Sequence, residues 1–141
     1  MNPERPLRVL ASPAGRPGTP AGRFGPDDCY PTAVWLPVLG PGAFVAWRHL
    51  AHQLDRGGST TTSLAALAAD LGMGSPHGHQ SAVARTLRRL ERFGLARPVG
   101  DDCLVVRVRL PFVSPAQLDR LAPAVQARHH LLRQRTTSRA C

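Results

Sequence analysis

Lysine is absent from the 141 residues, so all 18 basic side chains are arginine. Arginine codons are GC-rich and lysine codons are not. The excess therefore carries a base-composition signature, and the formal charge of +9 is weak evidence of a partner until the positions of the arginines are considered. Aromatic residues are scarce, at 5%, too few for the stacked platform on which single-stranded nucleic acid lies. The cysteines are few: Cys29, Cys103 and Cys141 have no C-x-x-C spacing, which argues against a zinc knuckle or a disulfide framework and leaves unpaired thiols as the expectation. No apolar run approaches the roughly eighteen residues of a membrane span. The opening MNPERPLRVLASPAG lacks the apolar core of a secretory signal. No membrane association is expected, and a cytoplasmic location is. A phosphate-binding loop, a nucleophile elbow and paired catalytic carboxylates on a helix are also missing. The acids instead form adjacent pairs, Asp27-Asp28 and Asp101-Asp102, in turns that favour Asp for backbone reasons. Neither an enzyme nor a cofactor is expected.

The length suits one domain with one core. Residues 1–26 are dominated by Pro, Gly and Arg, with a possible short extended piece at 7–10, and read as a disordered basic arm. Order is expected over 27–113, followed by a helical extension over 114–134 and a disordered tail over 135–141. The apolar stretch CYPTAVWLPVLG closes at Gly40-Pro41-Gly42, where Pro41 is placed to open a helix. That helix should span about 42–54, with Ala43, Trp47, Leu50, Ala51 and Leu54 as its core stripe. In STTTSLAALAADLGMG, Thr62 or Ser63 is a candidate N-cap. Leu64, Leu67, Ala68 and Leu71 form an apolar stripe there, and Gly72 is a natural C-terminal cap.

The segment SAVARTLRRLER, residues 81–92, carries four arginines and one carboxylate. A helix that only covers a core usually alternates charge on its solvent face, because opposite signs support one another at i,i+4. Here Val83, Leu87 and Leu90 form the stripe expected to be buried. Successive residues about 100° apart place Ser81, Arg85, Arg88 and Arg92 opposite it, with Arg89 on the flank. Beyond Gly94, ARPVGDDCLVVRVRLP reads as two strands around a Gly-Asp-Asp turn. Leu104, Val106, Val108 and Leu110 share one face, and Cys103, Val105, Arg107 and Arg109 the other. Ser114-Pro115-Ala116-Gln117 has the form of a capping box opening a helix to about Leu121. Pro123 then restarts a segment over 124–134 with Val125, His129 and Leu132 on one stripe.

The succession of SLAALAADLGMG, AVARTLRRLERFGLARPV and the hairpin 96–110 resembles the winged helix-turn-helix family of DNA-binding domains. The resemblance implies a mainly α fold with a small β-hairpin and C-terminal helices, and a transcription regulator whose partner is double-stranded DNA. In that family the second helix of the motif enters the major groove. Ser81, Arg85 and Arg88 would then face base edges, and Gln80 could address adenine. Arg89 and Arg92 would meet phosphate, and Arg107 and Arg109 would lie on the wing. The chain departs from the family in the turn, where about eight residues separate Gly72 from Ser81 instead of three or four. A second stretch, WLPVLGPGAFVAWRHLAHQL, is similar to the opening of the winged-helix domains of primosomal DnaD- and DnaB-type proteins, which implies a replication-initiation factor. A winged helix serving only other protein partners is a third reading. The helix over 124–134 is expected to form a homodimer contact, the alternative being that it packs on the first helix of its own subunit. His77-x-His79 raises metal sensing, but a loop pair is too small a ligand set to expect a metal.

Overall fold

Glycine, serine and proline set the helix ends largely where the sequence places them. The computed structural model describes residues 2–12 and 22–135. Along the chain run strand β1 (Leu7–Ser12), a π-helical turn (Pro31–Trp35) continued by the short helix α1 (Leu36–Leu39), and helix α2 (Pro41–Asp55). Strand β2 (Ser59–Thr62) follows, then helices α3 (Leu64–Leu71) and α4 (Ala82–Arg92). Hairpin strands β3 (Ala96–Val99) and β4 (Cys103–Arg107) come next, then helices α5 (Pro115–Asp119) and α6 (Pro123–Gln134). Pro41 lies in the first turn of α2, where a missing N–H leaves no helical bond unmade. Ser63 caps α3 by accepting from the Ala66 N–H at 3.0 Å. Gly72 ends that helix at φ 65°, a left-handed conformation that glycine adopts without strain. The capping box Ser114–Gln117 is formed as expected.

The fold is a mixed α/β domain in which helices predominate, as expected, but the β part is larger than a hairpin. The hairpin belongs to a four-stranded sheet of order β2-β1-β4-β3. β1 runs antiparallel to β2, with Leu7 opposite Thr62, and parallel to β4, with Val9 opposite Leu104. The basic arm expected over 1–26 is corrected. Residues 7–12 are an interior strand, and Phe24 forms an isolated bridge to Leu110. The physical reason is that Leu7, Val9 and Ala11 alternate with Arg8 and Leu10 over only six residues. A parallel partner nearly a hundred positions away leaves no local signature. Residues 13–21 of the expected arm and 136–141 of the expected tail lie outside the described residues. Among the described residues, Cys103 is a free, half-buried thiol. Cys29 is disulfide-bonded, so the expectation of an unpaired thiol there is corrected.

The stripe expected on α2 is buried in full, joined by Phe44 and Ala46, and it shares one core with Val9, Leu104 and Val106 of the sheet and Val83 and Leu90 of α4. Trp47 is completely buried, and its indole N–H donates to the Arg107 carbonyl at 2.7 Å. One bond thus ties the central helix to the end of the hairpin. Leu87, expected in the buried stripe of α4, is only half-buried. It sits where α4 and the sheet diverge, beside Leu7, Leu64 and Leu104 at the edge of a cleft.

The C-terminal helix packs on its own chain. Tyr30 stacks on Phe24 with ring centroids 4.4 Å apart, and Phe112 meets both rings edge-on at 5.1 Å. The guanidinium groups of Arg23 and Arg133 lie 4.8 and 4.9 Å from the Phe112 centroid. The Tyr30 hydroxyl accepts from the Val113 N–H at 3.0 Å and is hydrogen-bonded to His129 Nδ1 at 2.7 Å. That holds α6 against the Pro31–Trp35 turn, not against α2. Val125 and His129, the stripe available for a homodimer contact, are therefore used internally, and Leu131 is left exposed on the same helix.

This arrangement makes stability depend on pH. Burial pushes the Tyr30 hydroxyl up to about 12. Burial, then the neighbouring charges of His130 and Arg133, hold His129 below the ordinary 6.5. The unfolded chain therefore takes up the proton first. The contribution of neutral His129 is complete above pH 6.5 and is lost as pH falls from there through the depressed folded value. The urea midpoint should drop over that window. His129→Gln, which accepts a hydrogen bond but does not titrate, should remove this component.

Candidate nucleic-acid interface

Helix α4 exists because Ser81 caps it, its Oγ accepting from the Ala84 N–H at 3.3 Å. Thr86 bonds back to the Ala82 carbonyl at 2.7 Å, and Val83 and Leu90 anchor the inner face. The outer face then presents Arg85, Arg88 and Arg92, all exposed. The side chains of these three make no ion pair or hydrogen bond with the described residues. Gln80 is also exposed, in the turn before the helix.

Other members of the expected set are differently employed. Ser81 is engaged as the N-cap, and capping by a side-chain oxygen is worth about 0.5–2 kcal/mol, so turning that hydroxyl to a base would cost helix stability. Arg89 reaches across to α1. Its Nε donates to the Leu39 carbonyl, its Nη2 to the Val38 carbonyl at 3.4 Å, and its guanidinium lies 5.3 Å from the Phe93 ring. It thereby satisfies carbonyls at the C-terminus of a four-residue helix, which has few bonds of its own. Arg89 is a clamp between helices.

Arg107 and Arg109 do not sit at the tip of the hairpin. Arg107 ends β4, at the base, where its carbonyl holds Trp47 and its Nε donates to the Arg109 carbonyl at 3.0 Å. Burial lowers its pKa from the ordinary arginine value. Arg109 lies beyond the strand, against Gly22: a Cβ on that glycine would come within 2.5 Å of the Arg109 carbonyl oxygen. The tip itself is Gly100-Asp101-Asp102, exposed and acidic. Asp102 contributes its carbonyl to the Arg8 N–H at 2.8 Å.

Sequence reasoning left Arg97 out and placed Arg5 in a flexible arm. Arg5, in the segment leading into β1, lines the same cleft as Arg88, and Arg97 is exposed on β3. Recognising LRVLAS as a strand was the signal that would have placed Arg5. His77 and His79 are exposed in the turn between α3 and α4, and among the described residues no group of three or more potential metal ligands occurs. Other histidines serve contacts of α2: His52 Nε2 lies 2.8 Å from Asp27, whose pKa this bond holds below the ordinary 3.8, and His49 lies 3.4 Å from Asp70 on α3. Among the described residues no helix is long and apolar enough to cross a membrane.

No protein-family model matches the chain, and no curated protein matches it. Among solved structures it is similar to the primosome protein DnaB, residues 1–300, from Geobacillus stearothermophilus, with a TM-score of 0.53 and 17% identity. The match covers all of this chain and 53% of that one, so the chain spans about half the length of its structural neighbour. At that identity the likeness concerns the fold. It agrees with the primosomal resemblance carried by residues 35–54.

Proposed function

We propose that the chain is a winged helix-turn-helix module that binds double-stranded DNA through α4 with little sequence preference, in a replication-initiation role. The succession α2, β2, α3, α4, β3, β4 follows the family's order, with β1 inserted into the sheet. The observation that carries the reading is the exposed, uncompensated row Arg85, Arg88 and Arg92. Such a row favours phosphate through charge alone. Base readout by a transcription regulator asks for several free polar side chains at the start of the helix. Ser81 and Arg89 are occupied, which leaves a smaller reading set, and the name of the structural neighbour supports the replication reading.

The acidic tip gives this reading a specific consequence. If the hairpin approaches the duplex, Asp101 and Asp102 oppose the phosphates, since like charges in proximity cost free energy. Replacing both by Asn should raise duplex affinity severalfold at low salt, and unchanged affinity would place the tip away from DNA. The reading as a whole is tested by selection on random duplexes with single-stranded competitors. Retention of duplexes without an enriched motif is expected. A sharp motif would restore the transcription-regulator reading, and a preference for single strands would sink the proposal.

A further inference from the structure

Between α4, the segment before β1 and the hairpin lies a cleft of about 260 Å³. Its floor is aliphatic, built from Leu7, Leu64, Leu87 and Leu104. Its rim carries two exposed cations, Arg5 and Arg88, and two exposed carboxylates, Glu91 and Asp101. Arg88 and Glu91 stand three residues apart on α4, so they are neighbours on the helix surface. Yet no ion pair joins them, and none joins Arg5 to Asp101. The volume is below the roughly 300–1,000 Å³ that drug-sized ligands occupy, so the occupant is small.

We propose that this cleft binds a free α-amino acid with an aliphatic or aromatic side chain. The side chain lies on the leucine floor, the carboxylate is held by Arg88 and Arg5, and the ammonium by Glu91 and Asp101. A rim of both signs selects a zwitterion. A plain carboxylate would meet Glu91 and Asp101 unfavourably, and a plain amine would meet Arg5 and Arg88. Because Arg88 also belongs to the row proposed to meet phosphate, an occupied cleft would withdraw one cation from DNA. That consequence rests on the proposed duplex-binding role, whereas binding of the amino acid does not.

The test is calorimetric titration of the full chain, without DNA, with L-leucine, L-phenylalanine, leucinamide, 4-methylpentanoate and glycine. At least one of the two apolar amino acids should bind saturably at millimolar concentration or below. Loss of either charge in the amide or the deaminated acid should weaken binding about tenfold or more, as loss of a charge-assisted hydrogen bond does. Glycine should not bind. Ala84→Phe, which fills the cleft, should abolish binding while the thermal melt confirms the fold. Arg85→Ala with Arg92→Ala, which leaves the cleft intact, should retain amino-acid binding even if duplex binding is lost or was never present. Absence of saturable binding by both amino acids, or equal binding of leucine and its two analogues, would overturn the proposal.

Discussion

Trp47→Ala is expected to cost about 3–5 kcal/mol of folding stability, the usual range for truncating a buried aromatic. The indole is fully buried at the centre of α2, and its N–H supplies a partner for the Arg107 carbonyl. Alanine removes both the volume and the Trp47 hydrogen bond. Trp47→Phe separates the two effects, since most of the ring volume remains while the donor is lost. It should cost nearer the roughly 0.5–1.5 kcal/mol that a single hydrogen bond contributes. On α4, Leu90→Ala should cost more than Leu87→Ala, because Leu90 is fully buried and Leu87 opens on the cleft. Equal costs in urea denaturation would mean that the faces of that helix are assigned wrongly.

The parts of this fold that were legible in the sequence are those with local signatures. The caps at Ser63 and Ser114, the stops at Gly40, Gly72 and Gly94 and the apolar period of α2 all come from neighbours within a few residues. The hairpin turn did too. What was illegible depends on distant partners. β1 sits among prolines and arginines, and only pairing with β2 and β4 makes it a strand. Deleting residues 1–26 would therefore remove an interior strand and would not merely trim a basic arm. Strand β2, four polar residues long, has no apolar alternation to reveal it. For the candidate site, helical geometry correctly turned Arg85, Arg88 and Arg92 outward. It could not show that Arg89 is drawn to the carbonyls of α1, or that Arg107 is turned to the hairpin base, because both depend on tertiary contacts.

Replacing Arg85, Arg88 and Arg92 together by alanine is the second large effect expected, this time on binding. All three are exposed, so the folded state loses no clamp and stability should change little. Each phosphate no longer neutralised should take about 0.9 from the slope of log affinity against log salt, hence about 2.7 for three contacts. At low salt the loss in duplex affinity should exceed that of any single variant. An arginine that reads a base would reveal itself differently, by losing about 1–3 kcal/mol on one preferred sequence while relaxing preference at one position. Arg89→Ala serves as the contrast: it should lower stability by releasing α1 and should leave the salt slope nearly unchanged.

The central claim is that the uncompensated arginine face of α4 binds duplex DNA. It is tested most directly by the affinity of the intact chain for a random-sequence duplex, measured from low to physiological salt. The account predicts measurable binding that weakens as salt rises, with a slope that the triple arginine variant flattens by about 2.7. Absent binding at low salt, or binding indifferent to salt in the intact chain, would contradict it.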